Sequence, residues 1–100
     1  MQDYRVAIDP EALQKINEAA RYIAQDSEQN AMSWLLGLED LIGKLGRFPH
    51  SYGDARERKP IRRELKQVVY HSHRVIFEID DERRVVNVVT VIHGAQNFWR

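Results

Sequence analysis

The chain has 100 residues, 43% of them apolar, and its 15 basic and 15 acidic side chains leave no formal net charge. It has no cysteine, which excludes a disulfide scaffold, a thiolate nucleophile and a thiolate-bound metal and is typical of a reducing cytoplasm. The N-terminus is polar and no apolar run approaches the ~18 residues of a membrane span, so neither a signal peptide nor a membrane segment is predicted. We expect one cytoplasmic domain over residues 1–100.

The formal charge is distributed unevenly along the chain. Residues 1–55 carry nine acidic and five basic side chains, a balance of −4, whereas residues 56–100 carry six acidic and ten basic ones, a balance of +4. A basic half of this kind attracts nucleic acid, an acidic protein or an acidic peptide. Charge alone leaves these three partner classes open.

A strand followed by a helix is predicted at the start of the chain. Apolar and other residues alternate over residues 4–8, and the strand ends at Asp9-Pro10. Proline is favoured in a first helical turn and the Asp9 side chain can accept from free backbone amides, so a helix is predicted from here to about residue 24. Its apolar positions recur every three or four residues and are Leu13, Ile16, Ala20 and Ile23.

A second helix is predicted from an Asp26-Ser27 cap to about Gly46, shortly before Pro49. Its apolar residues form one wide stripe, which consists of Ala31, Trp34, Leu35, Leu38, Leu41, Ile42 and Leu45. Only a few residues separate the two helices, so they should run antiparallel and pack against a sheet. Residues 50–60 are predicted to be a polar connection.

Three further strands are predicted over about residues 61–70, 73–79 and 84–92, with a tight reversal at residues 80–83. In the middle strand, alternation predicts an apolar face and a partly exposed face, made respectively by Val75, Phe77 and Ile79 and by Arg74, Ile76 and Glu78. The last strand is apolar on both faces, which predicts a position inside the sheet. Alternation assigns Val86, Val88 and Ile92 to one face and Val85, Val89 and Val91 to the other.

These elements predict an α+β fold. A strand is followed by a helical hairpin and then by a three-stranded antiparallel meander, and the helices pack on one face of a small antiparallel sheet.

Two segments are candidates for binding a partner. The densest cationic run contains Arg58, Lys59, Arg62 and Arg63, and acidic residues interrupt it in a chain of zero net charge. A specific protein contact is therefore favoured over general nucleic-acid binding. Near the C-terminus, Phe98 and Trp99 either pack back over the sheet or present an aromatic anchor.

The histidines do not predict a metal site. His71 and His73 lie two residues apart and can share a strand face, but no third ligand has a matching spacing. Both are more typical of solvated turn residues than of a catalyst. No metal and no cofactor are expected.

Taken in order, "IRREL", "HRVIFEID" and "VNVVTVIHGAQNF" resemble the RelE/ParE superfamily of toxins. The resemblance spans nearly the whole chain and includes an arginine at the head of the first meander strand, Arg74 to Phe77 in the second, and His93-Gly94 closing the third. It implies a small cytoplasmic toxin, of the plasmid-stabilisation type, that a cognate antitoxin holds inactive and assembles into an oligomer.

Relatives of this superfamily act in two ways. The RelE-like branch cleaves messenger RNA on the ribosome, and the ParE-like branch inhibits DNA gyrase without that catalytic set. Arg74 matches the family arginine of the middle strand, but Ala95-Gln96-Asn97 stands where RNA-cleaving relatives carry a further arginine. The resemblance therefore favours a ParE-like gyrase inhibitor that causes growth arrest.

Two alternatives remain open at this point. One is a metal-independent, ribosome-dependent endoribonuclease, whose catalytic residues would be Arg62, Arg63, Arg74 and His93. The other is a non-toxic interaction module on the same fold. The expected partner-binding residues are Arg58, Lys59, Arg62, Arg63, Arg74, His93, Phe98 and Trp99.

Overall fold

The computed structural model describes residues 3–56 and 64–94. Within these ranges the helices are α1 (Pro10–Ala24), α2 (Glu28–Gly43) and a 3₁₀ turn (Pro49–Ser51), and the strands are β1 (Arg5–Ile8), β2 (Gly53–Asp54), β3 (Leu65–Tyr70), β4 (His73–Asp80) and β5 (Val85–His93). The predicted α+β order is confirmed. The additional strand β2 lies in the segment predicted to be a polar connection and is too short to show alternation.

The strands of the described ranges form one sheet in the order β1-β5-β4-β3-β2. β3, β4 and β5 are the predicted antiparallel meander. β1 instead pairs with β5 in parallel, from Arg5 opposite Val85 to Ile8 opposite Val88, so the prediction of a purely antiparallel sheet is wrong. This pairing satisfies the backbone groups on the outer edge of β5 and places β5 inside the sheet, as predicted.

Helix α1 begins at Pro10 as predicted, but Asp9 does not cap it with its side chain. The Asp9 carboxylate instead accepts a 2.8 Å hydrogen bond from the Asn87 side-chain amide and so joins the helix start to β5. The predicted inward position of Leu13 is also wrong, because Leu13 is 48% exposed and its neighbour Ala12 is fully buried. The small Ala12 allows the helix to approach the sheet closely.

Helix α2 has the predicted cap. The Ser27 hydroxyl oxygen accepts from the Asn30 amide at 3.1 Å. The helix ends at Gly43, before the predicted Gly46, but the chain turns so that Leu45 is still fully buried. At Gly46 the backbone accepts a hydrogen bond from the Tyr4 amide at 2.9 Å, and any side chain there would meet the Tyr4 carbonyl.

Both helices pack on one face of the sheet, as predicted, and we call this the helix face. The residues buried in this layer are Ala12, Ile16, Ala20, Trp34, Leu38, Ile42, Leu45, Val75, Phe77, Ile79, Val86, Val88 and Val91.

The opposite face of the sheet is buried too, which the sequence did not predict. Leu65, Ile76, Val89 and Ile92 form a second apolar cluster there. Arg74 and Glu78, expected to be partly exposed, are each only 4% exposed. The Arg74 guanidinium donates to the Gln67 side-chain carbonyl at 2.7 Å.

A β-bulge in β5 overturns the predicted faces of that strand. Ile76 pairs with Thr90 and Phe77 pairs with Val88, so Val89 is an extra residue. An extra residue reverses the alternation beyond it. Val91 therefore packs in the helix face and Ile92 packs on the opposite face, contrary to the predicted grouping.

The end of the sheet near residues 80–84 is joined by polar contacts. The Asp81 carboxylate accepts from the Tyr4 hydroxyl at 2.6 Å and lies 2.8 Å from the His50 ring nitrogen Nε2. The hydrogen bond from Tyr4, followed by the one to His50, lowers the pKa of Asp81 below its ordinary value. This contact links β1, the 3₁₀ turn and the β4–β5 turn.

The stability of the helix face should depend on Leu38. This side chain is 1% exposed, whereas Leu36 on the same helix is 58% exposed. Leu38→Ala should lower the free energy of unfolding by about 2 to 5 kcal/mol, because it leaves a cavity in the core. Leu36→Ala is the matched control and should change it by less than about 0.5 kcal/mol. Urea denaturation measures both, and equal effects would contradict the helix register.

Arg74 should also contribute to stability. Arg74→Ala removes a buried side chain and the donor to Gln67, so we expect a loss of about 1 to 3 kcal/mol. Val69 is the cross-strand partner of Arg74 and is 64% exposed. Val69→Thr keeps the branched side chain and should stay within about 0.5 kcal/mol of wild type. A wild-type melting curve for Arg74→Ala would show that the guanidinium is not buried.

Candidate functional site

Two of the residues proposed from the sequence, Arg74 and His93, lie in the described ranges. The others lie outside the described ranges and remain predictions. They are Arg58, Lys59, Arg62, Arg63, Phe98 and Trp99.

Arg74 lies in the second position of β4, on the face opposite the helices. Its cross-strand neighbours are Val69 on β3 and Ile92 on β5. The side chain extends through the same face as Gln67, whose amide oxygen it binds. Arg74 is 4% exposed. Its guanidinium therefore interacts with neighbours on this face of the sheet and has little contact with solvent.

His93 ends β5 on the other face. It pairs directly with His73, and the two ring centres are 5.8 Å apart. The ring of His73 in turn lies 5.3 Å from that of Trp34 on α2, which identifies this side as the helix face. Because neighbouring strand residues point to opposite faces, the side chains of Arg74 and His93 do not converge on one site.

His93 belongs to a chain of ring contacts that we call the histidine cluster, defined as His71, His73, His93, Tyr70 and Trp34. The Tyr70 ring contacts Trp34 at 5.8 Å and His71 at 4.5 Å. The Tyr70 hydroxyl donates to the Trp34 carbonyl at 2.8 Å. The cluster therefore fixes the end of the meander against α2.

Burial changes the proton affinities of the cluster. It lowers the pKa of His73 below its ordinary value, and the nearby His93 and His71 lower it further. Burial raises the pKa of Tyr70. Near neutral pH the His73 imidazole and the Tyr70 phenol are therefore both neutral.

This cluster was not predicted from the sequence, because Trp34 is distant in the chain from His71 and His73. A signal was present in Gly37, at an interior position of α2. A side chain at this position would collide with the Tyr70 hydroxyl, so the glycine makes room for Tyr70 against the helix.

A second candidate surface is a groove between β1, α1 and α2, with a volume of about 500 Å³. We call it the apolar groove; its apolar lining consists of Val6, Ile8, Leu13, Ile16, Met32, Leu35, Leu38 and Ile42. Leu13 and Met32 are 48% and 57% exposed, although both are apolar. Exposed apolar grooves of this kind accept the apolar face of a partner helix or strand.

In the part of the chain that the structure describes, no group of three or more His, Cys, Asp or Glu side chains is arranged to hold a metal ion. In residues 3–56 and 64–94, none of the helices has the length and apolar character needed to cross a bilayer.

Comparison with known proteins gives a family match and several matches of fold. A family model described as the ParE toxin of type II toxin-antitoxin system, parDE, matches residues 6–98. No curated protein matches the sequence significantly.

Solved structures similar to this chain include toxin-antitoxin systems of both branches. The chromosomal ParDE system of P. aeruginosa has a TM-score of 0.72 at 6% identity and covers 90% of this chain and 95% of that one. The RelBE2 toxin-antitoxin complex of Mycobacterium tuberculosis has a TM-score of 0.62 at 21% identity, covering 96% and 97%. The archaeal RelE-RelB complex of Pyrococcus horikoshii has a TM-score of 0.55 at 14% identity, covering 96% and 100%.

At these identities the structural likeness shows the fold alone, which both branches share. The family model is more specific and extends from β1 past the end of β5. The chain therefore belongs to the ParE toxin family and is a toxin of a type II toxin-antitoxin system.

Proposed function

We propose that this toxin is a ParE-like inhibitor of DNA gyrase and acts by binding rather than by cleaving RNA. The observation that carries the proposal is the separation of Arg74 and His93 on opposite faces of the sheet. Metal-independent RNA cleavage needs a base, an acid and a cation around a single phosphodiester. Arg74 and His93 are two of the four residues predicted for the endoribonuclease alternative. Because they lie on opposite faces of the sheet, they do not surround one phosphodiester.

The burial of Arg74 supports the same proposal. A catalytic cation must reach the phosphate whose charge it stabilises, but the Arg74 side chain is 4% exposed and binds Gln67. The fold does not distinguish the branches, whereas the family match is to the ParE toxin.

The surface proposed to contact gyrase is the basic run of Arg58, Lys59, Arg62 and Arg63, with Phe98 and Trp99 as aromatic anchors. The charge of +4 over residues 56–100 supports this assignment, because complementary charge speeds association and selects the partner. Aromatic and arginine side chains are also the residue types that contribute most at interface centres.

A supercoiling assay with purified gyrase tests the proposal. The toxin should inhibit supercoiling, and expression without antitoxin should arrest growth and induce the DNA-damage response while bulk messenger RNA stays intact. Replacing the four basic residues of the run by glutamine should weaken inhibition by at least about tenfold. The charge-matched control replaces four exposed basic residues outside the run by glutamine and should inhibit like wild type; these residues are Lys15, Arg21, Lys44 and Arg47.

Two outcomes would contradict this function. Ribosome-dependent cleavage of messages with gyrase unaffected would assign the protein to the RelE-like branch. Harmless expression together with uninhibited gyrase would favour the non-toxic interaction module.

We also propose that the cognate antitoxin binds in the apolar groove through an amphipathic segment. The exposed Leu13 and Met32 support this, because their apolar surface would be removed from water by a partner. Asn17 and Glu39 lie at the same groove and offer hydrogen bonds to the polar side of the segment.

Leu13→Asp should weaken antitoxin binding by at least about tenfold, since it places a charge in the groove. Leu36→Asp is the matched control, because Leu36 is 58% exposed but does not line the groove. Isothermal titration with the antitoxin measures both, after thermal melts show that both variants fold. Equal affinities for the two variants would rule out the groove as the antitoxin site.

A further inference from the structure

We propose that His73 and His93 form a binding site for a zinc-like divalent metal ion where β4 begins and β5 ends. Neither histidine lines the apolar groove proposed for the antitoxin. The proposal rests on the register of β4 and β5, on the distance between the two imidazole rings and on the buried Nδ1 of His73.

The register brings the two histidine side chains as close as a sheet allows. His73 and His93 are directly opposite each other on antiparallel strands. The Gly94 amide donates to the Ser72 carbonyl at 2.7 Å, which makes Ser72 and Gly94 a hydrogen-bonded pair. The adjoining pair, His73 and His93, is then non-hydrogen-bonded, the type in which facing side chains approach most closely.

The spacing of the rings suits a shared ion. Two imidazoles that bind a tetrahedral Zn²⁺ at the usual Zn–N distance of about 2.0 Å have ring centres about 5 Å apart. The observed separation of the ring centres is 5.8 Å. This separation is within about 1 Å of the spacing that a shared Zn²⁺ requires.

The chemistry of His73 also suits a metal ligand. Its Nδ1 is buried and has no hydrogen-bond partner within residues 3–56 and 64–94, although buried ring nitrogens normally have one or bind a metal. A neutral imidazole nitrogen is a common metal ligand.

Both histidines line a cleft of about 280 Å³. Glu18 and Lys15 of α1 also line it, and their charged ends are 4.0 Å apart. Glu18 can supply an oxygen ligand through an intervening water. In the described ranges no third protein ligand is already in place, so solvent completes the coordination and binding is weaker than in a four-ligand structural site.

Imidazole ligands select the class of ion. They bind Zn²⁺, Ni²⁺ and Cu²⁺ well, whereas Mg²⁺ prefers oxygen ligands and retains its water. The site should therefore discriminate strongly between Zn²⁺ and Mg²⁺.

Isothermal titration of the folded full chain with Zn²⁺, and separately with Mg²⁺, tests the proposal. Wild type should bind one Zn²⁺ per chain, show a higher melting temperature in its presence and show no response to Mg²⁺. His93→Ala should weaken Zn²⁺ binding by at least about tenfold. The matched control is His50→Ala, because His50 lies beside Asp81 at the other end of the sheet, and it should bind like wild type.

Because His93 is exposed, its replacement is expected to leave the fold intact, and a melting curve without metal checks this. Undetectable Zn²⁺ binding by wild type would overturn the proposal. So would equal Zn²⁺ affinity in wild type and His93→Ala, or loss of binding in His50→Ala alone.

Discussion

The packing of α1 and α2 against β4 and β5 is the interaction on which the other features depend. Phe77 and Val75 are fully buried in the same core cluster as Leu38 and Trp34, so β4 cannot rotate without exposing them. Because side chains alternate along a strand, this packing also fixes which residues point away from the helices. Arg74 is thereby directed to the opposite face, where it lies opposite Ile92 and donates to Gln67.

The bulge at Val89 adjusts β5 to this constraint. Without the extra residue, the end of β5 would present Ile92 to the helices and direct His93 to the face of Arg74. With it, Val91 packs in the helix face and His93 lies beside His73. The extra residue therefore places Arg74 and the two histidines on opposite faces of the sheet. This arrangement disfavours a shared nuclease centre and brings His73 and His93 together.

Local signals in the sequence predicted much of the fold but not the features that depend on strand pairing. The helix cap at Ser27 and the helix start at Asp9-Pro10 could be predicted, because each involves residues that are neighbours in the chain. The bulge at Val89 and the burial of Arg74 depend on partners distant in sequence, and alternation alone assigned both wrongly. For the same reason, the sequence predicts His71 and His73 as separate turn residues. The register of the sheet instead places His73 opposite His93.

The arrangement of the meander faces can be measured directly by nuclear Overhauser spectroscopy on the labelled protein. We expect contacts from the His93 ring to the His73 ring, and contacts from the Arg74 side chain to Gln67 and Ile92. Contacts between the Arg74 side chain and the His93 ring would contradict it, because both groups would then share one face and a nuclease centre would be restored.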